Sequence, residues 1–182
     1  MPKRKFKCNI LSKQSVEQLQ KDIEAYIDDL SVKCEKVVRR LAEIGLAVAE
    51  EEIAKAGYTY DADGHESGSN TEHTSDINVS TSSNSAKADL VVSGEDILFI
   101  EFGSGVYYNG EAGQSPHPKG KDFGFVIGSY GKGNGIKKLW GYYDDSGTFV
   151  LTHGTEATMP MYKAALKMYE EAPNVVKEIF GG

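Results

Sequence analysis

Ile97-Leu98-Phe99-Ile100-Glu101-Phe102 is the most apolar run in the chain, and it follows the turn chemistry of Ser93-Gly94-Glu95-Asp96. Its reading decides the fold: the run predicts the central strand of a sheet. Ala88-Asp89-Leu90-Val91-Val92 predicts a neighbouring strand, and the alternation of Ile77, Val79 and Thr81 predicts a half-exposed one. Further out, Thr148-Phe149-Val150-Leu151-Thr152 predicts another strand. Residues 5–11, alternating over Phe6, Cys8 and Ile10, predict a short one. Together they read as an antiparallel meander of about four to five strands.

Two helical patterns flank this sheet. Ser15-Val16-Glu17-Gln18 has the form of a capping box. From there Val16, Leu19, Ile23, Tyr26, Leu30, Cys34, Val37, Leu41, Ile44 and Val48 step by three or four, which puts them on one helical face. Gly57 is a natural stop. A helix over 15–56 would be roughly 60 Å long, so it either breaks near Asp28-Asp29-Leu30-Ser31 or projects onto other subunits. At the other end Thr158 is placed to cap and Pro160 sits in the first turn. Met161, Tyr162, Ala165, Leu166 and Tyr169 line one face, and Pro173 starts a final turn carrying Val176, Ile179 and Phe180. The fold class is therefore α+β: one domain over 1–182, with a long N-terminal helix and a C-terminal helix packed on the sheet.

The 182 residues carry 20 basic and 27 acidic side chains, a formal net charge of −7, with 40% hydrophobic residues. That composition is globular rather than disordered. Nothing approaches the ~18 consecutive apolar residues of a membrane span. The basic start, Met1 to Lys7, is followed by no apolar signal core. Cys8 and Cys34 lack CxxC spacing and read as free thiols of a reducing cytoplasm, with a disulfide as the alternative. The acidity is concentrated: residues 59–89 hold Asp61, Asp63, Glu66, Glu72, Asp76 and Asp89 against Lys87 alone, a net of −5. The Ser/Asn/Gly-rich part of that stretch, 59–76, predicts an acidic surface loop. A net acidic chain is ill suited to wrapping nucleic acid by phosphate neutralisation.

Residues 103–147 are dense in glycine, and 11 of the chain's 18 aromatic residues fall between Phe99 and Phe149. A connection this long is usually functional or interfacial, and it reads as a docking arm. Aromatic and Met side chains supply large contact area. The candidate interface residues are Phe102, Tyr107, Tyr108, Phe123, Phe125, Tyr130, Tyr142, Tyr143, Met159, Met161 and Tyr162, while Phe99 and Trp140 are expected inside the subunit.

No catalytic constellation emerges. Gly131-Lys132-Gly133-Asn134-Gly135 lacks the order of a phosphate loop. Asp61-Ala62-Asp63-Gly64-His65 starts like a calcium loop, but its glycine comes too early, at position four rather than six. His65, His73, His117 and His153 lack zinc spacing, and no GxSxG elbow appears. Glu101, the one carboxylate in the apolar run, needs a partner such as Lys or Arg if it faces the core, or its pKa rises; it reads as a structural or interface ion pair rather than a general base. The expectation is no enzyme, no metal and no cofactor.

Glu101-Phe102-Gly103-Ser104-Gly105 resembles the EFG[ST]G segment of a siphophage structural family. The stretch His153-Gly154-Thr155-Glu156-Ala157-Thr158-Met159-Pro160-Met161-Tyr162-Lys163-Ala164 is similar to that family's second signature. Tyr130-Gly131-Lys132-Gly133 and Trp140-Gly141-Tyr142-Tyr143 resemble its Gly/Tyr/Trp insert. The family is the head–tail joining, neck or tail-completion proteins of tailed phages, often described as minor tail proteins. The resemblance follows the order of elements from about residue 5 to 180; the acidic 59–76 segment departs from it. It implies an oligomeric ring of this chain in the virion at the head–tail junction, assembled in the host cytoplasm. Adjacent head-completion, connector, tail-tube or terminator proteins would be its partners. Genome DNA would pass through the lumen without specific binding, and no membrane is involved. Asp61, Asp63, Glu66, Glu72 and Asp76 would then be a DNA-repelling acidic loop. The alternatives are a tail terminator or other minor tail component, or a small enzyme or binding module unrelated to phage.

Overall fold

A computed structural model describes residues 5–56, 58–60, 66–68, 72–82, 85–94, 96–103, 115–125, 140–143, 146–152, 155 and 157–181. The chain is α+β, in the order α1 (Lys13–Lys55), β1 (Tyr58–Tyr60), β2 (Glu66–Gly68), β3 (Thr74–Ser82), β4 (Ser85–Ser93), α2 (Ile97–Phe102), β5 (Trp140–Tyr143), β6 (Phe149–Thr152) and α3 (Pro160–Phe180). It falls into two compact units. One comprises Met1–Ile44, Asp76–Val91 and Lys167–Gly182; the other comprises Gly45–Ser75 and Val92–Leu166.

α1 forms where the three-four stripe predicts it and runs unbroken through Asp28-Asp29-Leu30-Ser31, about 65 Å at 1.5 Å per residue. Its polar face is laced by i,i+4 pairs. Lys33 bonds Asp29 at 3.0 Å, Arg39 bonds Glu35 at 3.0 Å and Lys55 bonds Glu51 at 2.8 Å. Each contributes only about 0.2–0.5 kcal/mol, and the first of them, Lys33–Asp29, crosses the expected break. The cap differs from the expected box. The Ser12 hydroxyl accepts the Ser15 N–H at 3.3 Å, while the Ser15 hydroxyl accepts the N–H of Asn9 at 2.8 Å. The helix therefore starts at Lys13. Residues 5–9 form no strand. The Phe6 ring packs edge-on against Tyr26 of α1 at 5.9 Å, so its apolar surface is spent on the helix rather than on a strand partner.

The apolar run at 97–102 is a helix, not the expected central strand. Ile97, Ile100 and Glu101, at i, i+3 and i+4, are buried, while Leu98 is 59% exposed. That is the burial of a helical face; a strand would have buried alternate residues. Ile100 N–H bonds the carbonyl of Asp96 at 3.0 Å, and Gly103 closes the turn on Phe99 with φ +80°, a conformation that favours glycine. With this run helical, the expected sheet of four to five strands is not found among the described residues. Their strands pair two by two: β1 with β2, β3 with β4, and β5 with β6. β3 and β4 lie where the alternation predicts strands. Their half-buried positions include Ile77, Val79, Ala88 and Leu90, and a two-residue connection can join only antiparallel strands. β5 and β6 pair antiparallel from Trp140↔Thr152 to Tyr143↔Phe149. β1 and β2 form a short antiparallel hairpin inside the stretch expected to be loop.

α3 begins at Pro160, as predicted, and carries Pro173 within the helix rather than at the start of a separate turn. Its last turn closes with Gly181 N–H on the carbonyl of Lys177 at 2.8 Å. In the second unit the core gathers Ile53, Ile97 and Ile100, with Ala56 and Val92 against them. Ile100 is 1% exposed. Truncating it leaves a cavity that nothing nearby fills, so Ile100→Ala is expected to cost about 3 kcal/mol, read as a lowered urea midpoint.

Candidate functional site

The site is built on the first turn of α3. A helix start leaves backbone N–H groups unpaired, and its dipole favours a negative charge there. Pro160, almost fully buried, removes one of those donors. Two others, on Met161 and Tyr162, donate to the two carboxylate oxygens of Glu101, at 2.7 Å to Oε2 and 2.9 Å to Oε1. The cap thus comes from a residue sixty positions earlier, and Thr158 does not supply it. The Thr158 hydroxyl is buried with no hydrogen-bond partner among the described residues, while its N–H and that of Met159 donate to the carbonyl of Ile100. Met159 takes a left-handed backbone, φ 55°, which costs a non-glycine residue roughly 1–3 kcal/mol and persists only where neighbours enforce it. The Glu101 and Ile100 bonds on either side are those neighbours.

His117 adds a close polar contact to Glu101. Its Nε2 lies 3.1 Å from Oε1, and both side chains are under 9% exposed. The Nδ1 of His117 accepts the N–H of Lys119 at 3.0 Å, which holds the ring in place. No Lys or Arg fills the role expected for the partner; a helix terminus and an imidazole do. His117 is held in a turn whose ends meet. Its own N–H donates to the Ser115 hydroxyl at 3.2 Å, and that hydroxyl donates to the carbonyl of Phe102. The N–H of Phe125 returns to the carbonyl of Gly120 at 2.9 Å. Phe102 is ringed by His117 at 4.6 Å, Phe125 at 4.4 Å and Phe123 at 5.3 Å, and Tyr162 stands edge-on to His117 at 5.2 Å.

Two further acids serve the same unit. Burial pushes the Glu52 carboxyl up, but hydrogen bonds from Lys163 and Lys55 outweigh it and hold the group below the ordinary carboxylate range. The Lys163 bond, 2.6 Å, ties the end of α1 to the start of α3. Glu50 accepts from the Ser75 hydroxyl and lies 2.8 Å from Nε2 of His73. The Ser75 bond first, then His73, holds Glu50 below its ordinary value.

Of the residues singled out in the sequence, this site gathers Phe102, Phe123, Phe125, Met161 and Tyr162. Phe102 and Phe125 are buried, so they are core residues here rather than exposed docking groups; Phe123 remains 62% exposed. Met159, Met161 and Tyr162 are half-buried. Tyr143 is exposed on β5, edge-on to Phe149 at 5.2 Å. Tyr142 lies in β5, and Phe99 is half-buried. Tyr107, Tyr108, Tyr130, Asp61 and Asp63 lie outside the described residues, as does the side chain of Trp140. Glu66 lies in β2; Glu72 and Asp76 are exposed. Among the described residues no three His, Cys, Asp or Glu side chains are placed to hold a metal ion, and no helix is long and apolar enough to cross a membrane. Cys8 and Cys34 are free and exposed.

Chemically the arrangement is a clamp. Both Glu101 oxygens are engaged by N–H donors and both His117 nitrogens are committed. Glu101→Gln sets an amide NH2 against one backbone N–H. It is expected to cost about 1–3 kcal/mol and to speed hydrogen–deuterium exchange at the Met161 and Tyr162 amides. Glu50 gives a pH signature. Its folded pKa is lowered, so its contribution is complete above the ordinary carboxylate value and is lost as pH falls through the lowered one. Glu50→Gln removes that part, and the variant's stability is expected to fall less steeply than the wild type's between about pH 5 and pH 3. Against known proteins, the chain matches no family model, no curated protein and no solved structure.

Proposed function

We propose that this chain is a non-enzymatic structural subunit of a phage virion, forming an oligomeric ring at the head–tail junction through which the genome passes. One observation carries the reading. The described parts of the two segments whose residues resemble the neck and tail-completion family, 101–103 and 157–164, meet at one point. Glu101 of the first caps the helix that starts in the second, and Gly103 adopts the positive φ that keeps its place in the triplet for glycine. The resemblance thus falls on residues with a joint physical task.

The clamp fits a scaffold. It uses up its carboxylate and imidazole in holding the start of α3, and leaves Phe123 and Tyr143 exposed as contact surface. Ring subunits meet through unlike surfaces, and exposed aromatic side chains supply such contacts. The acidic segment 59–76, net −5, suits a lumen wall, since carboxylates repel phosphate over about 8 Å at physiological salt. The experiment is negative-stain microscopy of the purified chain over a concentration series. Rings with a central channel are expected; particles that stay monomeric at the highest concentration would contradict the reading.

A further inference from the structure

α1 carries one apolar pattern three times over. Val16, Leu19 and Ile23 recur eleven residues on as Ile27, Leu30 and Cys34, and again as Val38, Leu41 and Gly45. An eleven-residue repeat gives 3.67 residues per turn, so the stripe runs nearly straight along the helix. Its last copy is partly covered within the chain: Val38 and Leu41 are half-buried and Gly45 is buried. The earlier copies are more open. Val16, Ile23 and Ile27 are 40–44% exposed, and no residue from 13 to 37 is buried. The same helix carries two charge blocks of opposite sign. Residues 17–29 hold five acids and one base, net −4; residues 33–40 hold four bases and one acid, net +3.

We propose that the stripe from Val16 to Cys34 is covered by a second copy of this chain, its α1 parallel and shifted by eleven residues. That shift, about 16 Å, keeps apolar residues on apolar ones: Val16 meets Ile27, Leu19 meets Leu30, Ile23 meets Cys34 and Tyr26 meets Val37. It also sets Lys13 level with Glu24, Asp22 with Lys33, Asp28 with Arg39 and Asp29 with Arg40, against two like-charged levels, Glu17 with Asp28 and Glu24 with Glu35. The pairs now made within the helix, such as Lys33–Asp29, are exposed. They are weak enough to exchange partners. An antiparallel pair centred on Ser31 would match the charge blocks too, but it sets Ile23 against Arg39 and Tyr26 against Lys36. The shift brings Ile27 and Leu30 of one copy to the level of Val38 and Leu41 of the next. There a groove of about 210 Å³ is lined by Val38, Leu41, Ala42, Ala88, Leu90 and Met168. One copy gives residues 16–34 and takes the next copy's residues 27–45. The contact is therefore heterologous: with the helices strictly parallel the shift repeats as a screw and runs on as a filament, and it closes into a ring where neighbouring α1 helices cross at an angle. It names the subunit contact of the proposed ring and rests on that reading for closure alone.

Two measurements test it on the full chain. In a Cys8→Ser background, Ile23→Cys faces Cys34 of the next copy, and mild oxidation should give a ladder of cross-linked trimers and larger species. Leu19→Cys with Leu30→Cys, in a chain with both native cysteines replaced, is the second pair. Cross-linked dimers alone, or no cross-link in associated protein, overturn the contact. For charge, Asp22→Lys/Asp28→Lys/Asp29→Lys and Lys33→Glu/Arg39→Glu/Arg40→Glu should each weaken association roughly tenfold or more in sedimentation at low salt, and a one-to-one mixture should restore it. Wild-type association by either variant, with helicity intact by circular dichroism, overturns it. Rings without the cross-link would sink this contact and leave the ring reading standing; a cross-linked ladder in open filaments would do the reverse.

Discussion

A carboxylate inside apolar surroundings costs several kcal/mol unless its charge is met by donors of good geometry. Glu101 is met by two backbone N–H groups of the first turn of α3, and Nε2 of His117 lies 3.1 Å from its Oε1. Bonds to a charged group contribute about 1.5–3 kcal/mol each, so this carboxylate fixes three segments at once. α2 must present residue 101 inward, α3 must begin at Pro160, and the turn 115–125 must close over Phe102. The left-handed Met159 and the glycine conformation at Gly103 follow from the same requirement. An aspartate would fall a methylene short of both amides, and a glutamine would bring a donor where an acceptor is needed.

How much of this was legible in the sequence differs by element, for physical reasons. α1 was, because forty residues of three-four spacing have no strand reading, and its capping was misplaced only from Ser12 to Ser15. β3, β4 and β6 were, because alternation or a bounded apolar run has the strand period. The run 97–102 was not. Six apolar residues are too short for periodicity to choose between strand and helix. The deciding contact, Glu101 with the amides of Met161 and Tyr162, spans sixty residues. One local signal did exist: Ile97, Ile100 and Glu101 stand at i, i+3 and i+4, a helical face with a carboxylate at its end.

The site was legible in part. Glu101, Phe102 and Gly103 stood out as a motif, as did the start of α3, but their meeting did not. His117 has no metal-ligand spacing to mark it in the sequence, and its task is hydrogen bonding. Its setting, Ser115-Pro116-His117-Pro118-Lys119-Gly120, is a turn whose prolines restrict the backbone on both sides of the ring. That was the available sign that this histidine is held in place. The aromatic richness after Phe99 was read as surface. Part of it, Phe102 and Phe125, is the packing around the clamp, and Phe123 and Tyr143 remain outside.

The clamp and the long helix divide the work of a building block. One unit holds the start of α3 through Glu101, and in the other α1 carries a partly exposed apolar stripe alongside two blocks of opposite charge. Native mass spectrometry of the full chain tests the central claim, that this chain is a ring subunit, most directly. The account predicts one dominant closed species of three or more copies that stays at the same stoichiometry as concentration rises. A chain that remains monomeric, or stops at a dimer, would contradict it.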